Sequence, residues 1–176
     1  MDPSDILTAP IDDILQACQL RVFDVLILGD GSGSHCDNAC GWSSVLIERE
    51  TGRRRLFGGH ANAGSGQFAE AMPFIQAMTW YDHFYGQYSK KPGLCDVHIV
   101  TDSQTIANMG NQAVTAKKVS RALAYLTSFV QAYMKLKYRF TWHWMPRNEF
   151  QLTEIVDRLS KQHRITGQKI ENKTLY

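Results

Sequence analysis

The chain has no run approaching ~18 consecutive apolar residues, the length a membrane-spanning helix requires. Its first residues also lack the apolar core of a secretory signal. These absences predict a soluble, intracellular (cytoplasmic) protein with no membrane partner. Cysteine is scarce and poorly spaced for metal. Cys18, Cys36, Cys40 and Cys95 make no paired zinc-ligand pattern, and Cys36-x-x-x-Cys40 beside His35 has no second Cys/His pair downstream. Ordinary reduced thiols are expected. A strong excess of either charge is missing too: 19 Lys and Arg against 17 Asp and Glu leave +2, with a pI ≈ 8.3. A mildly basic surface of this kind permits nucleic acid without demanding it. No internal repeat, low-complexity tract or linker-like stretch divides the 176 residues. One domain over residues 21–165 is expected, with an N-terminal extension at 1–20 and a polar, loosely held tail at 166–176. Nothing marks a protein partner, and a monomer is expected.

The hydrophobic pattern supplies the elements. Ile11, Ile14, Leu15 and Cys18 fall at helical spacing behind Asp12 and Asp13. Val25 to Leu28 is a continuous apolar run, the signature of a strand buried on both faces, ended by Gly31 and Gly33. Two strands at 41–49 and 54–60 flank the turn Glu50-Thr51-Gly52-Arg53. Residues 65–84 read as a helix with Phe68, Ala71, Ile75 and Met78 on one stripe, and Pro73 is expected to kink it. A strand at 97–101, a short helix at 103–110, a long helix at 115–136, a strand at 138–144 and a helix at 151–162 complete the order. The expected class is α/β with a mixed sheet.

Four carboxylates stand out against this outline: Asp30, Glu70, Asp102 and Asp157. Asp30 and Asp102 each end an apolar strand, where open α/β sheets place their ligands. Taken alone, each reads as a turn or helix-cap aspartate, because Asp-Gly and Asp-Ser are common there. On the last helix the stripe Leu152, Ile155, Val156 and Leu159 has Asp157 at its flank and Glu154 more nearly opposite. That geometry selects Asp157 as the ligand candidate and leaves Glu154 solvated, with Glu149 a lesser rival. Four acids brought together need a cation, and carboxylate oxygens suit hard divalent ions.

Order and wording of these segments resemble the type 1 ribonuclease H family over roughly residues 23–163. The pieces are Asp30-Gly31-Ser32, Thr101-Asp102-Ser103-Gln104, the looser Gly66-Gln67-Phe68-Ala69-Glu70, and Trp142-His143-Trp144 followed by a loop and Ile155-Val156-Asp157-Arg158-Leu159. The resemblance implies a ribonuclease H-like five-stranded mixed sheet flanked by helices, with Asp30, Glu70, Asp102 and Asp157 as catalytic metal ligands. It implies two Mg²⁺ ions, with Mn²⁺ as a substitute, and hydrolysis of the RNA strand of an RNA/DNA hybrid to 5′-phosphate products. Gly31, Ser32, Gln67, Ser103 and Gln104 would contact that hybrid.

Two features depart from the family. The loop before the last acid, Met145-Pro146-Arg147-Asn148-Glu149-Phe150, lacks the usual histidine, and its wording is similar to a histidine-lacking subgroup. Arg147 is then the candidate for helping the cleaved phosphate leave, since a fixed cationic fork binds phosphate well. The plainer alternative is a turn arginine paired with a nearby acid. The family's extra basic helix has no room here, so Arg53-Arg54-Arg55 and Lys117-Lys118-x-x-Arg121 are its possible substitutes, or simply solvated charge. His143 reads as a packing residue of its strand. The competing functions are a DNA nuclease or resolvase-like enzyme of the same fold, and a non-catalytic nucleic-acid-binding module.

Overall fold

A computed structural model of the chain describes residues 4–33, 39–86, 95–111 and 138–175. Its helices are α1 (Ser4–Thr8), α2 (Asp12–Ala17), α3 (Gly66–Tyr81), α4 (Gln104–Gly110) and α5 (Gln151–Thr166). Its strands are β1 (Val25–Gly33), β2 (Cys40–Glu48), β3 (Arg54–Ala61), β4 (Cys95–Thr101), β5 (Tyr138–Trp144) and β6 (Ile170–Leu175). A π-helical turn, Asp82–Gly86, extends α3. The sheet order is β5-β4-β1-β2-β3-β6. β1 pairs parallel with β4 and β4 with β5, while β2 and β3 pair antiparallel. The expected five-stranded mixed sheet is therefore present. No described helix is long and apolar enough to cross a membrane. The helix expected at 115–136, with Lys117, Lys118 and Arg121, lies outside the described residues.

The tail departs from expectation by adding β6 antiparallel to β3. Its polar sequence hides this because an edge strand offers unpaired backbone groups that require no apolar partner. Gly167, at φ +66, ends α5 in the left-handed conformation and starts the return. The Gln168 carbonyl lies 2.9 Å from His163 Nδ1, and Gln76 Nε2 donates to the Ile170 carbonyl.

The sheet carries a core on each face. Val25, Ile27, Phe57, Phe74, Met78, Ile99 and Trp142 pack on the α3 side, and Leu26, Leu28, Val45, Leu152, Val156 and Leu159 on the α5 side. β1 is buried from Val25 through Gly31, as its unbroken apolar run requires. The N-terminal segment forms two short helices rather than one. Its Ile6 and Ile14 join the α5-side core, and Arg54 Nη1 donates to the carbonyls of Ile6 (2.5 Å) and Ala9 (2.7 Å). Arg55 is buried, ion-paired to Glu48 at 2.9 Å and seated over the Trp80 ring at 4.4 Å. Of the Arg53-Arg54-Arg55 run only Arg53 is exposed. That run is thus no three-arginine surface grip, because Arg54 is engaged by the N-terminal segment and Arg55 by Glu48 and Trp80.

Helix α3 runs through Pro73 to Tyr81 and lies unusually close to β1. A Cβ added at Gly29 would meet Pro73 Cβ and Phe74 at 2.7 Å, and one at Gly31 would meet the Ala69 backbone at 2.3 Å. The two glycines let the start of α3 settle onto the end of β1, which sets Glu70 beside Asp30. Gly31→Ala is expected to destabilise the fold by about 3 kcal/mol, as overpacking against immovable backbone does. A urea-unfolding midpoint reads the change, and a loss below about 0.5 kcal/mol would mean that α3 does not need this approach.

Candidate metal centre

The register of the parallel strands brings the first two acids together. Leu28 pairs with Val100 across β1 and β4. Asp30 and Asp102 each follow two residues later, so the period of two puts both on one face at the carboxyl ends of their strands. Glu70 comes from the second turn of α3, where Ser65 caps the helix by accepting from the Phe68 amide at 3.1 Å. One carboxylate oxygen from each of Asp30, Glu70 and Asp102 lies within 4.8 Å of the others. Oxygens ligating one hard cation at about 2.1–2.5 Å each span up to about 5 Å.

Asp157 sits on α5, buried at 6% exposure, with Oδ2 2.6 Å from Lys161 Nζ. Its rival Glu154 is half exposed and pairs with Arg158 at 2.7 Å, and Glu149 is exposed. Arg147 ties Asp157 to the other acids. Its Nε lies 2.6 Å from Asp102 Oδ2 and 3.8 Å from Asp157 Oδ1, and a terminal nitrogen lies 3.7 Å from Asp30 Oδ1. The plainer alternative, a turn arginine paired with acid, describes these contacts; contact with phosphate is a further matter.

The electrostatics are those of crowded acids. Burial pushes the Asp30 carboxyl up to about 7, with the neighbouring charges of Asp102 and Asp157 adding to it; a Ser160 hydrogen bond and Arg147 pull the other way. Burial likewise lifts Glu70 to about 8, helped by Asp30 and Asp102 and opposed by Arg147 and the Gly31 amide. Asp30 Oδ1, Glu70 Oε2, Asp102 Oδ1 and Asp157 Oδ1 are all buried with no hydrogen-bond partner among the described residues. Orphaned buried acceptors are costly, and four of them, one on each selected acid, suit a divalent cation in chemistry, while the carboxylates of Asp30, Glu70 and Asp102 also suit one in placement.

The residues selected as hybrid contacts lie within three positions of the acids along the chain. Gly31 is buried in β1, Ser32 is half-buried and accepts from Arg164 Nε at 3.1 Å, and Gln67 is exposed in the first turn of α3. Ser103 caps α4 by accepting from the Ile106 amide at 3.4 Å, and Gln104 is exposed beside it. Four supporting residues escape sequence reasoning. Ser160 Oγ, fully buried, donates to Asp30 Oδ2 at 2.8 Å, and Trp144 Nε1 donates to the Asp102 carbonyl at 2.9 Å. Lys161 and Arg164 hold Asp157 and Ser32. Ser160, Lys161 and Arg164 lie three, four and seven residues after Asp157, so their shared helix face was the available signal.

No family model matches the chain, and no curated protein does. Solved structures do. The N-terminal RNase H domain of rv2228c from Mycobacterium tuberculosis matches with a TM-score of 0.63 at 14% identity, over 82% of this chain and 97% of that one. RNase H1 from Halobacterium salinarum matches with a TM-score of 0.60 at 15% identity, over 78% and 97%. LC11-RNase H1 in complex with RNA/DNA hybrid matches with a TM-score of 0.62 at 13% identity, over 81% and 99%. The chain has the ribonuclease H-like fold.

Proposed function

We propose that the chain is a divalent-metal-dependent endonuclease that hydrolyses the RNA strand of RNA/DNA hybrids. The observation that carries this reading is the set of four buried carboxylate oxygens with no hydrogen-bond partner among the described residues, at the ends of β1 and β4 and on α3 and α5. The likeness of the fold to ribonucleases H, one of them bound to hybrid, supports the substrate class.

Asp30, Glu70 and Asp102 would hold the metal, with Asp157 as the fourth acid. Two bound Mg²⁺ ions, or Mn²⁺ in their place, would neutralise the scissile phosphate and lower the pKa of an attacking water. The protein's own groups do the rest. Ser160 holds Asp30 from α5, Trp144 fixes the Asp102 backbone, and Asp30, Asp102 and Asp157 line a cleft together with Thr101, Pro146 and Arg147. Choosing RNA over DNA requires contacts to 2′-hydroxyls, for which the backbone of Gly31 and the side chains of Ser32, Gln67, Ser103 and Gln104 are the candidates.

The test is incubation with end-labelled hybrid, duplex RNA and duplex DNA in Mg²⁺, Mn²⁺ or EDTA. Cutting of RNA in the hybrid alone, dependent on metal and leaving 5′-phosphate, is the expected result. Products ending in 2′,3′-cyclic phosphate, or undiminished cutting in EDTA, overturn the reading. Preferential cutting of duplex DNA would make the protein a DNA nuclease, and binding without cleavage a recognition module.

A further inference from the structure

Arg147 stands where a divalent cation would be drawn. Its guanidinium lies 2.6 Å from Asp102, 3.7 Å from Asp30 and 3.8 Å from Asp157, so a single cationic group already faces three of the four acids. Its backbone is pinned. Met145 is buried and its amide donates to the Thr101 carbonyl at 3.0 Å, Pro146 follows, and Asn148 takes φ +57 just after the arginine. The side chain is not pinned in the same way, because about half of it (51%) faces solvent. A fixed stem with a half-exposed charged head can withdraw without disturbing the sheet. The contact with Asp102 uses Oδ2, whereas Oδ1 of Asp30, Asp102 and Asp157 and Oε2 of Glu70 have no hydrogen-bond partner among the described residues. The guanidinium thus offsets the charge of the cluster without satisfying the oxygens a metal would ligate.

We propose that Arg147 is a built-in counter-ion of the acid cluster, and that a divalent cation binds against it by displacing or repelling its guanidinium. This rests on the metal reading given above and adds to it a determinant of metal affinity. Like charges a few ångströms apart in a partly buried site repel strongly, so the arginine weakens metal binding while it supports the metal-free protein. Anything that binds only one of two arrangements shifts the balance by its differential affinity, and here the competitor is part of the chain. Lys161 is a weaker rival, since it meets Asp157 alone among the four acids, at 2.6 Å. Arg139, paired with Asp96 away from the site, serves as the control for simple loss of positive charge.

The experiment is titration of Mn²⁺ and Mg²⁺ by calorimetry, with thermal melts in EDTA and in each metal, on wild type, Arg147→Ala, Arg147→Met and Arg139→Ala. None of these readings requires cleavage. Arg147→Ala and Arg147→Met should bind metal about tenfold more tightly than wild type, melt no higher in EDTA, and gain more on metal addition. Arg139→Ala should bind as wild type does. Arg147→Met retains the packing of the stem, so agreement between the two variants assigns the effect to charge. Equal or weaker metal binding by both Arg147 variants overturns the counter-ion role and leaves the metal site standing. If wild type and variants all fail to bind either ion, the metal reading itself falls.

Discussion

Asp30→Asn is expected to lower hybrid cleavage by at least about a thousandfold while leaving the fold intact. Asp30 is 5% exposed, its Oδ1 has no hydrogen-bond partner among the described residues, and its Oδ2 accepts from Ser160 at 2.8 Å. Asparagine keeps the shape of the side chain but lacks the charge a hard cation needs. A metal that neutralises the phosphate and activates the water is worth several kcal/mol in the transition state, and each 1.36 kcal/mol is tenfold in rate. Loss of about 4 kcal/mol of that stabilisation gives the thousandfold figure. The mutant should also lose most of the rise in melting temperature that Mg²⁺ gives the wild type, because a ligand stabilises only by binding the folded state. Cleavage rates under single-turnover conditions and paired melts with and without Mg²⁺ check both statements. A folded Asp30→Asn protein that cuts hybrid within tenfold of wild type would remove Asp30 from the metal centre.

The sequence made the frame of this site legible because its cues were local. An unbroken apolar run ending in Asp30 and a second ending in Thr101-Asp102 are readable as buried strands with acids at their carboxyl ends, and parallel pairing of β1 with β4 brings the two acids to equal height. The choice of Asp157 over Glu154 followed from the stripe of α5 alone, and their exposures differ in that sense. What was not legible depends on distant partners. The engagement of Arg54 with the carbonyls of Ile6 and Ala9, and of Arg55 with Glu48, cannot be read from three consecutive arginines, since a charge run looks the same whether solvated or buried. The polar tail forms β6 through backbone pairing with β3, a force that leaves no side-chain pattern. Ser160 reads as an ordinary helix residue until the fold brings Asp30 within 2.8 Å of it.

Without metal, the protein should lose stability as pH rises from 5 to 9, and Glu70→Gln should remove much of that loss. Below about pH 3 the carboxyls of Asp30 and Glu70 are protonated in folded and unfolded chains alike. Between that point and their folded values of about 7 and about 8, the unfolded chain releases its protons while the folded chain keeps them. The folded state then binds more protons, so each pH unit in this window costs about 1.4 kcal/mol per group, and the loss is complete once pH passes the folded values. The two acids share one site and raise each other, so their shifts do not add. A total near 4 kcal/mol is the expected scale. The buried His163 works in the opposite sense, since its lowered value adds stability as pH rises through its unfolded range near 6.5. That contribution is common to both proteins and cancels in their difference. Glu70 suits the comparison better than Asp102, because Asp102 carries the 2.6 Å contact with Arg147 and its loss would free a cation as well. Glutamine at position 70 has no charge to bury at any pH. Glu70→Gln should therefore be the more stable protein at pH 8.5, by about 2 kcal/mol, and nearly equal to wild type at pH 5. Mg²⁺ should flatten the wild-type decline, because metal binding to a deprotonated site strengthens as the protons leave. Urea midpoints from pH 5 to 9, in EDTA and in Mg²⁺, give all of these values. A wild-type curve in EDTA that rises across this range, or a Glu70→Gln curve parallel to it, would mean that burial and neighbouring charge do not hold these acids protonated as their placement requires.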